Sequence, residues 1–389
     1  MNPATVPSFV LERAAVTADA AGWQGVLHRP DGRTASVRFL TGEDASPPPD
    51  ILDGLAIAFL PTVMRAGGRL HVRGPVTRGG LRNLTEYTEA WANWRPNTFH
   101  PVVMTADTVL DMPRRQSSGD ALFAWSGGLR STHTLVRHLD RLVPGAMDVR
   151  AVLRVTGMHR DDRGVAAADA GDDAARALRA EGIRPLVVHT DAGTNGLIDG
   201  EIGVLPIVAA ALHAVSGGCG SGLHARSWHV GAQLRFPRPG PALADLLSGD
   251  AFAVRADGGS AAAPVMAEEI GRYPALTAVL SDCRRRPRHA LPCGTCPECT
   301  LMALAFAARG RPLPRSSLRL TVPGVVGLPF GDPAVAADAL ATLDAWAGDR
   351  GGWQALLRTR AGLNRMAIDV RDHLRWAGSI TGLLPPWPR

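Results

Sequence analysis

Two groups of residues in this chain have the types and spacing to do chemistry. The first is the run Ser126, Gly127, Gly128, Leu129, Arg130, Ser131 and Thr132. Glycine lets the backbone come close to an anion, and the N–H groups that open a helix point at its oxygens. The hydroxyls of Ser126, Ser131 and Thr132 can add hydrogen bonds. The same residues also suit a tight strand-to-helix turn capped by Ser131. The second group is Cys283, Cys293, Cys296 and Cys299, four of the five cysteines inside one 17-residue window. Four thiolates suit a tetrahedral structural zinc, and Cys293-Gly294-Thr295-Cys296 has the form of a metal knuckle. An iron–sulfur cluster uses the same ligand type, although ferredoxin-type runs take their fourth cysteine from downstream.

The elements around these groups follow a βαβ rhythm. Leu122 to Trp125 reads as a strand, and the positions Leu135, Val136, Leu139 and Leu142 have helical spacing. Strands are expected over 149–155, 184–190 and 223–230, with helices over 166–180 and 202–215. Strands alternating with helices predict a parallel sheet, whose ligands bind beyond the strand C-termini where the strand order reverses. The Ser-Gly-Gly run follows the first of these strands. Residues 1–116 read as a small N-terminal α+β domain, with strands at 25–27, 35–40, 69–72 and 102–104 and an apolar helix over 51–63. The polar stretch around 112–119 reads as a linker. Beyond Cys299, a helix is expected over 301–308, then two more over 335–346 and 353–360, followed by an extended tail.

Composition limits the chemistry. Net charge is +6, with 42 basic residues against 36 acidic ones, and every basic residue other than histidine is arginine. The absence of lysine excludes a Walker-type phosphate loop, a Schiff base and a lysine general base. The arginines are scattered, apart from Arg284, Arg285, Arg286 and Arg288 beside His289, so nucleic acid is not expected as a partner. Clustered cysteines without a secretory pattern argue for metal rather than disulfides, and no stretch is long and apolar enough for a membrane span. A cytoplasmic protein that does not enter membranes is expected.

Three further groups are candidates. Asp191, Thr194 and Asn195 follow the strand over 184–190, on the expected ligand side, where they suit either ligand binding or loop capping. His159 with Asp161 and Asp162 suits acid–base work or magnesium, and equally a solvated loop. Cys219, the one cysteine outside the cluster, suits a nucleophile or a small buried residue.

At Ser126, Gly127, Gly128, Leu129 and Ser131 the chain resembles the PP-loop ATP pyrophosphatases, whose signature is Ser-Gly-Gly-x-Asp-Ser. Arg130 stands where that family has Asp. The cysteine spacing sharpens the resemblance. Cys283, then Cys293-Gly294-Thr295-Cys296-Pro297-Glu298-Cys299, then Phe306 and Gly310, is similar to the zinc site of the 7-cyano-7-deazaguanine synthases. The similarity spans roughly residues 120–312. It implies a Rossmann-like, HUP-type α/β domain over 117–312 with a four-cysteine zinc knuckle, flanked by the 1–116 domain and a helical region over 313–389. It also implies ATP, magnesium and zinc as cofactors. The expected activity is an AMP-forming ligase that adenylates a small-molecule carboxylate and passes it to ammonia or an amine. Ser126, Gly127, Gly128, Leu129, Ser131 and Thr132 would bind the phosphates, with Arg130 and Asp191 as catalytic groups. Sulfur transfer to a nucleic acid through Cys219, and a non-catalytic nucleotide-binding scaffold, remain open alternatives. A homodimer is compatible with all three.

Overall fold

Alternating buried and exposed residues make the first three strands: β1 (Ser8–Ala14), β2 (Ala21–His28) and β3 (Thr34–Thr41). The apolar run after them becomes α1 (Asp53–Ala66), buried along most of its length. β4 (Gly68–Thr77), α2 (Arg78–Trp94) and β5 (Val102–Leu110) then form one strand–helix–strand unit. The computed structural model describes residues 6–16, 21–42, 45, 49–113, 119–158, 167–200, 202–226, 240–281, 283, 293–314, 320, 324–325, 327–329, 333–346 and 359. The expected helix over 353–360 and the group His159, Asp161 and Asp162 lie outside them, Thr359 aside.

The second set of elements follows the expected rhythm. It runs β6 (Asp120–Ala124), α3 (Leu129–Leu139), β7 (Asp148–Thr156), α4 (Ala167–Ala180), β8 (Pro185–Thr190), α5 (Leu205–Ala214), β9 (Ser221–Ala225) and β10 (Ala253–Asp257). Pro206 in its first turn starts α5 three residues later than the apolar run suggests. β10-β9-β6-β7-β8 are all parallel neighbours. From β6 the chain adds β7 and β8 on one side and then returns to add β9 and β10 on the other, so the order reverses between β6 and β9.

Residues 1–116 supply β1 to β5. Their five strands continue the same sheet, which among the described residues has ten strands in the order β10-β9-β6-β7-β8-β3-β2-β1-β4-β5. The join is a short antiparallel pairing of Phe39 with Thr190, Leu40 with His189 and Thr41 with Val188. The physical reason is burial. α1 packs on α5 with almost no Cβ room: a Cβ at Gly54 would lie 2.6 Å from Trp23 and 2.7 Å from His213. Separating the blocks would expose this apolar contact and the edges of β3 and β8 together.

The chain divides into two compact units. The first comprises Met1–Ser126, Thr134–Ser227 and Pro237–Gly258, and holds the whole sheet. Within it, the C-terminal half of α3 is fixed by His138, whose Nε2 bonds Asp257 at 3.0 Å while its Nδ1 accepts from Met147 N–H at 3.0 Å. The second unit comprises Gly127–His133, Trp228–Phe236 and Gly259–Arg389. Its described elements include α6 (Ala263–Ile270), α7 (Pro274–Ala278), α8 (Pro297–Ala308) and α9 (Pro333–Asp344). Leu304 of α8 packs with Val335, Ala336, Ala339 and Leu343 of α9. Among the described residues, no helix is long and apolar enough to cross a membrane.

Candidate metal centre and glycine loop

Cys296 caps α8 in an extended conformation, Pro297 starts the helix, and Cys299 falls in its first turn. Three residues of helix therefore carry the second sulfur back toward the first. Gly294 sits at φ +72°, a left-handed value that an L-residue adopts only with strain, and it turns Cys293 toward the same point. The ligand atoms of Cys283, Cys293, Cys296 and Cys299 all lie within 4.8 Å of one another. Cys283, Cys296 and Cys299 are buried and Cys293 is partly buried. The sulfurs of Cys293 and Cys299 are 4.0 Å apart. The backbone N–H of Cys296 donates to Cys293 Sγ at 3.3 Å, and that of Cys293 donates to Cys283 Sγ at 3.4 Å. N–H donors aimed at sulfur favour thiolate over thiol. Burial opposes ionisation at Cys293, but bonds from the Thr295 backbone and hydroxyl and from Cys296 outweigh it and bring the thiol down to about 6. Cys299 is pushed up by burial and by Cys296 beside it. A shared cation would remove that conflict, and the four sulfurs are close enough to hold one metal ion such as zinc. The arginine run after Cys283 lies outside the described residues.

The second candidate begins where β6 ends. Trp125 N–H bonds Leu153 O at 2.9 Å, so the chain is still held to β7 one residue before Ser126, which is exposed. Gly127 has φ +80°, with nothing among the described residues within 4 Å of a Cβ built on it. Gly128 O then accepts from Thr132 N–H at 2.9 Å and from the Ser131 hydroxyl at 3.1 Å, which closes the first turn of α3. Ser131 thus caps backward onto a carbonyl, and both it and Thr132 are buried. Gly127 O accepts from Ser281 N–H at 2.9 Å. Arg130 forms an ion pair with Asp338 of α9, and the two side chains are 18 % and 6 % exposed. His133, one turn on, bonds Glu269 of α6 at 2.8 Å. The loop is therefore tied to α6, α9 and Ser281 within the second unit.

No protein-family model, curated protein or solved structure matches the chain. The sites consequently stand on their own geometry. Asp191 braces the sheet. Its carboxylate accepts from Arg38 N–H at 2.8 Å and from Arg38 Nε at 2.9 Å, which extends the β3–β8 join. Asn195 adds to the same join through Ser36 O at 2.9 Å. Cys219 precedes β9, and β9 runs parallel to its neighbour β6, so it lies at the N-terminal end of these strands and Ser126 at the C-terminal end. A five-residue strand separates those ends by roughly 17 Å.

One cluster escapes the sequence patterns. Asp53 is buried and accepts from Thr77 N–H at 2.9 Å and from the Thr77 hydroxyl at 2.6 Å. Asp250 accepts from Gly79 N–H at 2.7 Å at the start of α2. Gly79-Gly80-Leu81-Arg82 repeats the residue types of Gly127-Gly128-Leu129-Arg130, and here the glycine turn is filled by the protein's own carboxylates. The repeated Gly-Gly-Leu-Arg is the signal that the sequence offers for it.

Proposed function

We propose that the chain is an ATP-dependent, AMP-forming ligase built on a PP-loop fold. The observation that carries this reading is the place of the Ser-Gly-Gly turn. It leaves β6 at the C-terminal end of a parallel sheet, where the strand order reverses, with nothing among the described residues within 4 Å of a Cβ built on Gly127. In this reading the backbone and hydroxyls of Ser126, Gly127, Gly128, Leu129, Ser131 and Thr132 bind the phosphates of magnesium-bound ATP. A substrate carboxylate attacks the α-phosphorus, pyrophosphate leaves, and ammonia or an amine displaces AMP from the acyl adenylate. Catalysis then rests on positioning and on charge stabilisation. Arg130 is the cation nearest the loop in sequence, and it serves phosphate only by leaving Asp338.

For the four cysteines we propose zinc. One tetrahedral ion at about 2.3 Å from each sulfur sets sulfurs roughly 3.8 Å apart, and Cys293 and Cys299 approach that spacing. A cluster that gives each thiolate its own iron spreads them further. With four protein ligands the ion is structural and does not activate water.

The test is calorimetric titration with ATP, with and without magnesium, beside a Gly128→Asp variant that puts a carboxylate in the loop. Micromolar binding abolished in the variant, with pyrophosphate released in the presence of a carboxylate and ammonia, bears the reading out. Absence of binding in a metal-loaded, folded wild type overturns it. The Arg130–Asp338 pair favours one second reading, a nucleotide-binding scaffold without turnover. Binding that never leads to pyrophosphate release identifies that case.

A further inference from the structure

Ser281 is joined to both candidate sites. Its N–H donates to Gly127 O at 2.9 Å, and Cys283 lies two residues further along the chain. Two residues of extended backbone span at most about 7 Å, so a constraint on Cys283 is a constraint on Ser281. Cys283 Sγ is itself gathered into the cluster by the Cys293 N–H at 3.4 Å. At the other end, the bond falls on Gly127, which has φ +80° and, among the described residues, no neighbour within 4 Å of a Cβ position. A trans peptide is planar, with its C=O and the following N–H pointing in opposite directions. Whatever fixes Gly127 O therefore fixes the direction of the Gly128 N–H. The Ser281 side chain takes no part, because its buried hydroxyl has no hydrogen-bond partner among the described residues.

We propose that Ser281 is a positioning residue that carries the state of the four-cysteine metal site to the glycine loop. With the metal bound, Cys283 is anchored, Ser281 N–H holds Gly127 O, and the Gly127–Gly128 peptide keeps one orientation. Without the metal, the segment around Cys283 loses its tether and the loop peptide is released to turn. The inference rests on the cysteine cluster holding a metal, and it stands whether or not the loop binds a nucleotide.

Amide hydrogen exchange on the full-length, zinc-loaded protein tests it, with metal content measured alongside. Removing zinc with a chelator should raise exchange of the amides in 127–132 about tenfold, the size expected for loss of one stabilising hydrogen bond, while α6 and the C-terminal half of α3 stay protected. Ser281→Pro, which deletes the donor, should raise the same amides with zinc still bound, and chelation should then add nothing at the loop. Ser281→Ala should match the wild type. The proposal is overturned if the loop is indifferent to chelation, if chelation loosens it equally in Ser281→Pro, or if all of the second unit opens at once. Should Ser281→Pro fail to hold zinc or to protect α8, the chelated wild type and Ser281→Ala decide between these outcomes.

Discussion

Asp53 shows how one residue can make the stability of this protein depend on pH. Burial raises its carboxyl to about 6 against an ordinary 3.8, and the two bonds from Thr77 only partly offset that. Between those values the folded chain keeps a proton that the unfolded chain releases. The contribution of Asp53 to stability is therefore greatest at low pH, falls as pH rises from about 4 to 6, and levels off above, with a total of order 3 kcal/mol. Urea midpoints measured across that range should show the fall in wild type and lose it in Asp53→Asn. A pH profile unchanged by the substitution would show that another group carries it. Arg130 poses a question of the opposite kind. Its sequence position suggests a phosphate ligand, but its side chain meets Asp338, a partner more than 200 residues away that no local pattern announces.

At the scale of elements, close packing of α1 on α5 decides whether the two halves of the sheet stay together. Gly54→Ala would gain helix propensity of about 1 kcal/mol. The added methyl, however, would lie 2.7 Å from His213 Cβ, an atom that cannot move away without moving α5. Overpacking of this kind costs about 1–3 kcal/mol, so a net loss of stability is expected in denaturant unfolding, with the slope unchanged. A variant as stable as wild type would mean that the helices adjust independently. The second half of the sheet is legible in the sequence, because β6 to α5 carry plain strand and helix periods separated by glycine turns. α2 is not, although Leu84, Tyr87, Thr88 and Trp91 bury one face at helical spacing. Gly79, Gly80 and its polar outer residues disguise that helix, and tertiary burial overrides their weak propensity. β1 and β10 escape notice because edge and neighbour pairing, which make a strand of a short mixed segment, leave no local mark. The cysteine cluster is legible in full, since four ligands at close spacing need only a knuckle and a helix start. Asp191 lies beyond a strand, where a ligand site is expected, and only the β3 pairing reveals Arg38 as its partner.

At the scale of the whole molecule, the cysteine cluster belongs to one unit and the sheet to the other. Scanning calorimetry after chelation should therefore separate the unfolding into two steps. The second unit should melt lower by at least about 3 °C, the shift that a loss of order 1 kcal/mol produces at this size. Cys299→Ala should reproduce the effect without a chelator, and a single transition moving as a whole would contradict it. The short β3–β8 join has a further consequence, for synthesis on the ribosome. All partners of β1, β2, β4 and β5 lie within the first 110 residues, so that half can close while the rest is still being made. During that interval β3 presents a bare edge with Phe39 and Leu40 on it, and it waits through about 140 residues of translation for β8. Until then the nascent chain offers a hydrophobic template to any other strand, so the interval between β3 and β8 is when this protein is most open to mispairing.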